Sequence, residues 1–376
     1  MKIVHINFSD SGGGAAQAVL RLHKELLKKN IESYILVREK LTNNSNIIGP
    51  TNKFDLIMIK IKKKISRNLK FFFKTKNKNT HSINLISSGI LKQINDLRPD
   101  YVNLHWIGNE TVSIKEISKI KSRIVWTLHD MWPFCGAEHY TDDNRYVEGY
   151  NNLNRPNYEK KLDINKYVWL QKKKYFNNIE KVVCTSDWML KKASESLLFK
   201  KKKIKKIPLS LNESFWCPIN KEVARKILSI NKNKLTICFG AENYFKNDRK
   251  GFNIFKDAID NLDTKINLQI ILFGEDKKFF FKNKDIQTIN LGVIKDELTM
   301  KIIFSASDFV IMPSKIEAFG QVALESLFCG TPCIILKGTA MEEIIHHKKN
   351  GFICSGIENL DLKEGIHWCI NNYKIF

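Results

Sequence analysis

The sequence predicts an α/β protein of two Rossmann-like domains whose parallel sheets face a central cleft, and three observations carry that prediction. The chain has 376 residues, which at roughly 100 to 200 residues per domain suits two domains. Short apolar runs alternate with helical patterns along nearly the whole length, as expected of parallel sheets covered by helices on both faces. Near the middle, the lysine-rich run 200–206 is followed by Ile207-Pro208 and then Phe215-Trp216-Cys217-Pro218. A hinge is expected there, giving domains 1–206 and 207–376. Ligands of such sheets bind at the carboxyl ends of the strands.

In chain order, apolar runs predict strands at 3–8 and 33–37, with a helix at 15–29 between them. A basic amphipathic stretch follows. Further strands are predicted at 101–105, 124–128 and 182–186, the last running into a helix at 187–197. The second domain restarts the pattern with strand 235–239, helix 251–262, and strands 268–273 and 286–291. Helix 297–305, strand 309–312, helix 319–328, strand 333–336 and helix 340–346 continue it. A helix-like pattern at 360–372 is a candidate to return onto the first domain.

Composition excludes disordered and collagen-like classes, since hydrophobic residues make up 43%, charged residues 27% and aromatics 11%. The 62 Lys and Arg against 39 Asp and Glu give a formal charge of +23. Such a field favours phosphates, nucleic acid or anionic lipid. Lysine is abundant everywhere, so clusters carry more information than the total. The eight cysteines, at 135, 184, 217, 238, 329, 333, 354 and 369, form no C-x-x-C pair and no zinc or disulfide framework. Several lie in apolar runs as buried reduced thiols would, which implies a cytoplasmic protein. The apolar start is interrupted at His5 and falls short of a signal segment. No stretch approaches the roughly 20 apolar residues of a membrane span.

Two places could carry chemistry. Ser11-Gly12-Gly13-Gly14 lies between the first strand and first helix, where glycines let a backbone approach a ligand and helix N–H groups face an anion. A mere tight turn is the other reading. The run Pro313-Ser314-Lys315-Ile316-Glu317-Ala318-Phe319-Gly320-Gln321-Val322-Ala323-Leu324-Glu325 follows a strand and opens a helix. Glu317 stays on the loop, and Glu325 sits about five residues into the helix, at roughly 1.5 Å rise each. Two carboxylates so placed could contact the two ends of one extended ligand, with the N–H groups of Phe319, Gly320 and Gln321 facing a negative group between them. Two surface glutamates are the alternative.

Glu317 to Glu325, spanning seven residues that begin Ala-Phe-Gly, resembles the E-x7-E donor motif of the retaining glycosyltransferase family 4, whose members have the two-domain GT-B fold. Ser11 to Gly14 resembles that family's N-terminal glycine-rich loop. Val183-Cys184-Thr185-Ser186-Asp187-Trp188 resembles its strand before the last helix of the first domain. Asn103-Leu104-His105-Trp106-Ile107 and Trp126-Thr127-Leu128-His129-Asp130-Met131-Trp132-Pro133-Phe134 are similar to a bacterial polysaccharide-assembly branch. The resemblance implies that Glu317 contacts donor-sugar hydroxyls and Glu325 the ribose. It implies that Ala318, Phe319, Gly320 and Gln321 frame the donor with Gly12, Gly13 and Gly14, and that His129 lies near the sugar. Arg249-Lys250-Gly251 looks like the family's Lys-Gly pair, with Lys250 on the diphosphate. The usual Arg five residues earlier is Phe245, and Arg249 or Lys246 is available to supply that charge. After Phe134 only Cys135 remains where related sequences carry several cysteines, so acceptor identity is not transferred.

The function this implies is transfer of a hexosyl unit from a nucleotide-diphosphate sugar to a growing lipid-linked saccharide of a surface polysaccharide or oligosaccharide. Lys250, Arg249 and the helix N-terminus would stabilise charge on the leaving diphosphate, while Glu317 and His129 orient the sugar. No cofactor and no metal are expected, since D-x-D is absent. A GT-B sugar-nucleotide epimerase is the alternative enzyme, distinguished by needing no acceptor. A basic nucleic-acid-binding protein is a remote one, and no nucleic-acid motif is present.

Residues 53–78 carry Lys53, Lys60, Lys62, Lys63, Lys64, Arg67, Lys70, Lys74, Lys76 and Lys78 against one acid, Asp55. Phe54, Ile57, Met58, Ile61, Ile65, Leu69, Phe72 and Phe73 recur at helical spacing. Such a helix packs its stripe on the sheet or lies in a bilayer interface. The lipid-linked acceptors of the similar branch favour the second reading. It makes the protein peripheral on the inner face of the cytoplasmic membrane, with Lys62, Lys63, Lys64 and Arg67 against anionic lipid.

Overall fold

In the computed structural model, which describes residues 1–50, 52–69, 72–262, 267–356 and 359–372, the side chains of Leu69 and Asn359 excepted, the chain forms two units, Met1–Ser210 and Leu211–Phe376. The first contains β1 (Lys2–Ser9), α1 (Gly13–Lys28), β2 (Glu32–Glu39), β3 (Ile47–Ile48), α2 (Lys53–Leu69), β4 (Phe73–Lys74), α3 (Ile90–Leu97) and β5 (Tyr101–Leu104). It continues through α4 (Ile114–Ile117), β6 (Arg123–Leu128), α5 (Arg145–Glu148), β7 (Lys160–Lys161), α6 (Ile164–Tyr175), β8 (Ile179–Cys184), α7 (Asp187–Glu195) and β9 (Lys203–Lys206). Seven strands form a parallel sheet in the order β3-β2-β1-β5-β6-β8-β9. The chain lays β1 to β3 outward in one direction, then crosses to β5 on the other side of β1. That reversal opens a crevice at the carboxyl ends of β1 and β5.

The second unit repeats the plan with α8 (Lys221–Ile227), β10 (Leu235–Gly240), α9 (Phe252–Asp260), β11 (Leu268–Phe273), β12 (Gln287–Asn290) and α10 (Glu297–Ala306). β13 (Phe309–Met312), α11 (Gln321–Phe328), β14 (Cys333–Leu336), β15 (Gly351–Cys354) and α12 (Asn359–Asn372) complete it. Its six-stranded parallel sheet has the order β12-β11-β10-β13-β14-β15, with the reversal between β10 and β13. Successive side chains leave a strand on opposite faces, so Ile237 and Phe239 of β10 enter one core with Phe252 and Phe255. Cys238 enters the other with Ile271, Phe304 and Val310. Burial on both faces explains the near-continuous apolar runs by which these strands were legible.

Several expectations are corrected. The lysine run expected as a hinge is partly a strand: Lys203–Lys206 is β9, paired in parallel with β8. Its Lys-Ile-Lys-Lys alternation half-buries Ile204 and exposes Lys203 and Lys205. A short charged edge strand blocks further pairing and so resembles a linker in composition. The predicted helix at 340–346 is only a 3-10 turn, Ala340–Glu343, capped by Thr339, and β15 follows it unforeseen. Helices α3, α4, α5, α6 and α8 were also missed, each being short or strongly polar. The pattern at 360–372 does form α12, which packs on α9, β14 and β15 of its own unit.

α2 stops at Leu69, and Phe73-Lys74 instead pairs antiparallel with Lys160-Lys161; Lys70 lies outside the described residues. Ile59 and Ser66 face inward, whereas Phe54, Ile57, Ile61 and Ile65 are 68%, 54%, 43% and 47% exposed. The apolar stripe therefore does not pack on the sheet. Lys63 turns back to Glu39 at 2.6 Å and lies 4.5 Å from the centre of the Phe8 ring, so it is tied within the fold rather than held out beside Lys64 and Arg67. Seven cysteines are buried and Cys217 is exposed.

Candidate functional site

In the second unit the predicted residues gather on the two segments that leave β10 and β13, on either side of the reversal. A 3-10 turn at Asp248–Lys250 ends in Gly251, whose φ is +72°. A side chain there would put its Cβ 1.8 Å from the carbonyl oxygen of Pro313, so only glycine allows the two segments to touch. Once in contact they are stitched: Lys315 N–H donates to Arg249 O at 2.8 Å, Lys315 Nζ pairs with Asp248 at 2.7 Å, and Arg249 donates to Ile316 O at 2.6 Å. The N–H of Ala340 holds the Glu317 carbonyl at 3.1 Å.

This stitching brings Lys250 Nζ to 2.6 Å from Glu317 Oε2, with Arg249 at 3.6 Å from the same oxygen. The Ala318 N–H donates to Oε1 at 3.3 Å. Burial alone would raise the Glu317 pKa, but Lys250, then Arg249 and these hydrogen bonds, hold it below its ordinary value. Burial pushes Lys250 down, opposed by Glu317 and reinforced by Arg249. The arrangement is a carboxylate between two cations, a group that can redistribute charge when an anion arrives.

α11 starts at Gln321, two residues later than expected, because Gly320 takes the left-handed conformation at φ +96° and serves as its N-cap. A Cβ at Gly320 would lie 2.5 Å from Met341 Cγ. Glycine brings no side chain to the first turn, so those N–H groups have no side-chain cap and can face an anion. Phe319 is half-buried and Ala318 buried beside this turn, and Glu325 is buried one turn into the helix. Phe245 joins Tyr244, Phe252 and Phe279 in a ring cluster. Lys277 Nζ lies 5.7 Å from the Phe245 ring centre, a cation that sequence reasoning missed. Of the two residues available to replace the family arginine, Lys246 is exposed and Arg249 stands beside Glu317.

In the first unit, Gly12 has φ +76° and caps α1, while Gly13 has φ +72° and begins it. A Cβ on Gly12 would meet nothing within 4 Å, so backbone conformation alone calls for glycine there. Asp10, just before the turn, accepts from the Leu41 and Thr42 N–H groups at 2.7 and 3.0 Å, which fixes the loop from β2 beside it. His129 leaves the end of β6. Its Nε2 lies 3.1 Å from His105 Nδ1, and His105 Nε2 lies 3.0 Å from His5 Nδ1. Burial pushes His129 down to about 4 and His5 down to about 3, and lowers His105 as well.

The loop after His129 is locked by groups of which the motifs contained only Asp130, Trp106 and Trp132. Asp130 accepts from His139 at 2.5 Å, and His139 Nε2 lies 2.8 Å from Ser82 Oγ. The His139 ring is stacked on Trp106 and Trp132. Buried Lys172 of α6 donates to the carbonyls of Trp132, Cys135 and Gly136. The Asn103 to Ile107 and Trp126 to Phe134 motifs pointed to this region. The pairing of His5 with His105 follows from strand register, His5 lying opposite Asn103, which no single motif encodes.

Among the described residues, no group of three or more His, Cys, Asp or Glu is placed to hold a metal ion, and no helix is long and apolar enough to cross a membrane. A family model described as Glycosyltransferase Family 4 matches residues 12–214, and one described as Glycosyl transferases group 1 matches residues 220–375. An uncharacterized glycosyltransferase of Methanocaldococcus jannaschii is 30% identical over 131 residues, 34% of this chain and 36% of that protein. The match thus spans about a third of that relative's length. Sucrose-phosphate synthase from Thermosynechococcus elongatus superposes with a TM-score of 0.66 at 14% identity, covering 99% of this chain and 90% of that one. Anabaena HepE, solved in complex with UDP and glucose, gives 0.60 at 15% identity, covering 100% and 91%. The fold is therefore GT-B. With one family model covering more than half of the residues and a second covering most of the rest, the chain belongs to glycosyltransferase family 4.

Proposed function

We propose that the protein is a retaining, metal-independent hexosyltransferase that uses a nucleotide-diphosphate sugar. The observation that carries this reading is the pairing of Lys250 with Glu317, with Arg249 beside them, on the segments flanking the sheet reversal and just before the α11 N-terminus. Breaking the glycosidic bond leaves charge on a diphosphate. Lys250, Arg249 and the uncapped first turn of α11 are preorganised donors for that charge. As Lys250 is drawn to phosphate, Glu317 is freed to accept from sugar hydroxyls. Ala318, Phe319, Gly320 and Gln321 frame the donor and Glu325 takes the ribose, while Gly12, Gly13, Gly14 and His129 are the donor contacts that the family resemblance assigns to the first unit. Arg249 supplies the charge that Phe245 lacks. The complex of HepE with UDP and glucose supports a uridine or related nucleotide donor.

The acceptor in this reading is a lipid-linked saccharide of a surface polysaccharide, reached by a protein resting on the inner face of the cytoplasmic membrane. The exposed stripe Phe54, Ile57, Ile61 and Ile65 supports this, flanked on one side by exposed Lys53, Lys60, Lys64 and Arg67. Nucleic acid is not a partner and no cofactor takes part. The test is a screen of nucleotide sugars, reading nucleotide release with and without lipid-linked saccharides. Release that requires both a donor and an acceptor supports transfer, and turnover of the nucleotide sugar with no acceptor points to epimerisation instead. Acceleration by added divalent metal, reversed by chelation, overturns the metal-independent mechanism.

A further inference from the structure

His5, His105 and His129 form a row of hydrogen-bonded rings across β1 and the ends of β5 and β6, three neighbouring strands of the first sheet. Ring centres are 5.2 Å apart in the first pair and 5.3 Å in the second. The row has two distinct ends. At one, His5 Nε2 is buried without a partner. At the other, His129 is half-buried, and its Nδ1 makes no hydrogen bond to a described residue.

A neutral imidazole carries one N–H, so the rings must donate along the row in a single direction. If His129 donated from Nε2 and His105 from Nε2, the proton of His5 would be forced onto its buried, unpartnered Nε2. An orphaned buried N–H is rarer and costlier than an under-satisfied acceptor. The opposite direction leaves only a lone pair at that end: His5 donates from Nδ1 to His105 Nε2, and His105 donates from Nδ1 to His129 Nε2. The His129 proton is then on Nδ1, at the accessible end.

We infer that His5 and His105 are positioning residues that fix His129 as the neutral Nδ1–H tautomer, so that His129 offers a substrate a hydrogen-bond donor and not a base. The role of that donor in catalysis rests on the proposed place of His129 beside the sugar; the tautomer itself does not. Other charged and titratable groups near the row keep to their own partners, Asp130 with His139 and His23 with Ser33. A donor that stays neutral suits a sugar hydroxyl or carbonyl-type oxygen, and it cannot accept the proton of an attacking hydroxyl at Nε2 because His105 occupies that nitrogen.

The experiment is long-range nitrogen–proton NMR of the histidine rings in the full-length protein near neutral pH, with His129 assigned by the loss of its signals in His129→Phe. A protonated Nδ1 and a lone pair on Nε2 are expected for His129. A protonated Nε2 on His129, or rapid exchange between both tautomers, overturns the inference. In His105→Phe the tautomer should become mixed and kcat should fall about 10-fold or more, with donor KM nearly unchanged, since orientation and not binding is lost. An unchanged Nδ1–H tautomer in folded His105→Phe also overturns it. Should His129 hold the stated tautomer while His129→Phe keeps full turnover, the row of rings stands and only the placement of His129 at the sugar fails.

Discussion

The two units share one topology and use opposite electrostatics at the crevice it creates. In the second, β10 and β13 deliver Lys250, Arg249 and Glu317 into a compact charged group. In the first, β1, β5 and β6 deliver His5, His105 and His129, which burial keeps neutral. A sheet reversal provides a place and not a chemistry. Charge is useful where phosphate charge develops, and neutral donors are useful where a sugar must be oriented. The comparison teaches that a crevice's contents, more than its fold, divide the labour on the proposed reading.

The sharpest way to break the comparison is to remove charge from the second unit. Lys250→Ala is expected to lower turnover about 100-fold or more at saturating donor, as does loss of one preorganised transition-state partner elsewhere. Arg249 still faces Glu317 at 3.6 Å, so the carboxylate is not left wholly uncompensated and the fold should survive. Near-normal turnover in folded Lys250→Ala would remove the diphosphate role. Next in size, on the proposed reading in which Glu317 touches the reacting sugar and Glu325 the nucleotide end, Glu317→Gln should lower kcat, whereas Glu325→Gln should chiefly raise donor KM. Steady-state kinetics on the two variants, with melting checked, decides between this and two incidental glutamates.

A smaller effect tests the neutral interior of the first unit. His5, His105 and His129 bind fewer protons folded than unfolded once the pH drops below their ordinary value near 6.5. Their contribution therefore weakens the fold as pH falls from about 6.5 towards the folded values of about 4 for His129 and about 3 for His5. Glu138, raised by burial to about 7, acts in the opposite sense, so the informative quantity is a difference. Replacing His5 and His105 together by Gln should flatten the dependence of unfolding free energy on pH between 6 and 4, by up to roughly 1.4 kcal/mol per pH unit for each histidine removed. Parallel curves for the two proteins would mean that these rings already titrate in the folded state. Glu317 is held below its ordinary pKa, so its contribution is lost only at lower pH, as pH falls through that depressed value.

How much of this was legible in the sequence follows the same division. The inner strands of the second sheet, β10, β11, β13 and β14, nearly or fully buried, were readable as apolar runs, and the Glu317 to Glu325 motif pointed to its candidate site because loop and helix lie next to each other in sequence. Gly251 was read as part of a motif; that it is obligatory emerged only from the approach of Pro313. The first unit's site was harder to read, because His5, His105 and His129 are joined by strand register across about a hundred residues of chain. Asp130 stood in a quoted motif, but its pairing with His139 and the reach of Lys172 to the loop carbonyls emerged only from the folded loop. The edge strand β9 failed as a prediction because its lysines serve the edge and not the core.

The last contrast concerns where positive charge sits. In the second unit Lys250 and Arg249 stand beside Glu317 in the candidate site, whereas in the first a basic row lies on the outside of α2. At about 100° per residue, Phe54, Ile57, Ile61 and Ile65 share one face, with Lys53, Lys60, Lys64 and Arg67 along one flank and Lys62 on the other. Lys63 belongs elsewhere, on Glu39, and changing it to Glu would break an internal pair and blur the result. The apolar residues are exposed, and an exposed stripe flanked by lysines fits a bilayer interface, where each basic residue near an anionic surface contributes about 1 kcal/mol. The parent is expected to co-sediment with anionic vesicles and not with neutral ones. Changing Lys53, Lys60, Lys64 and Arg67 to Glu should abolish this, with nucleotide-sugar binding unchanged, while Lys63→Glu should lower melting more than it lowers vesicle binding. Retained binding in the fourfold variant, or none by the parent at low salt, would leave the row a solvated face and confine functional charge to the second unit.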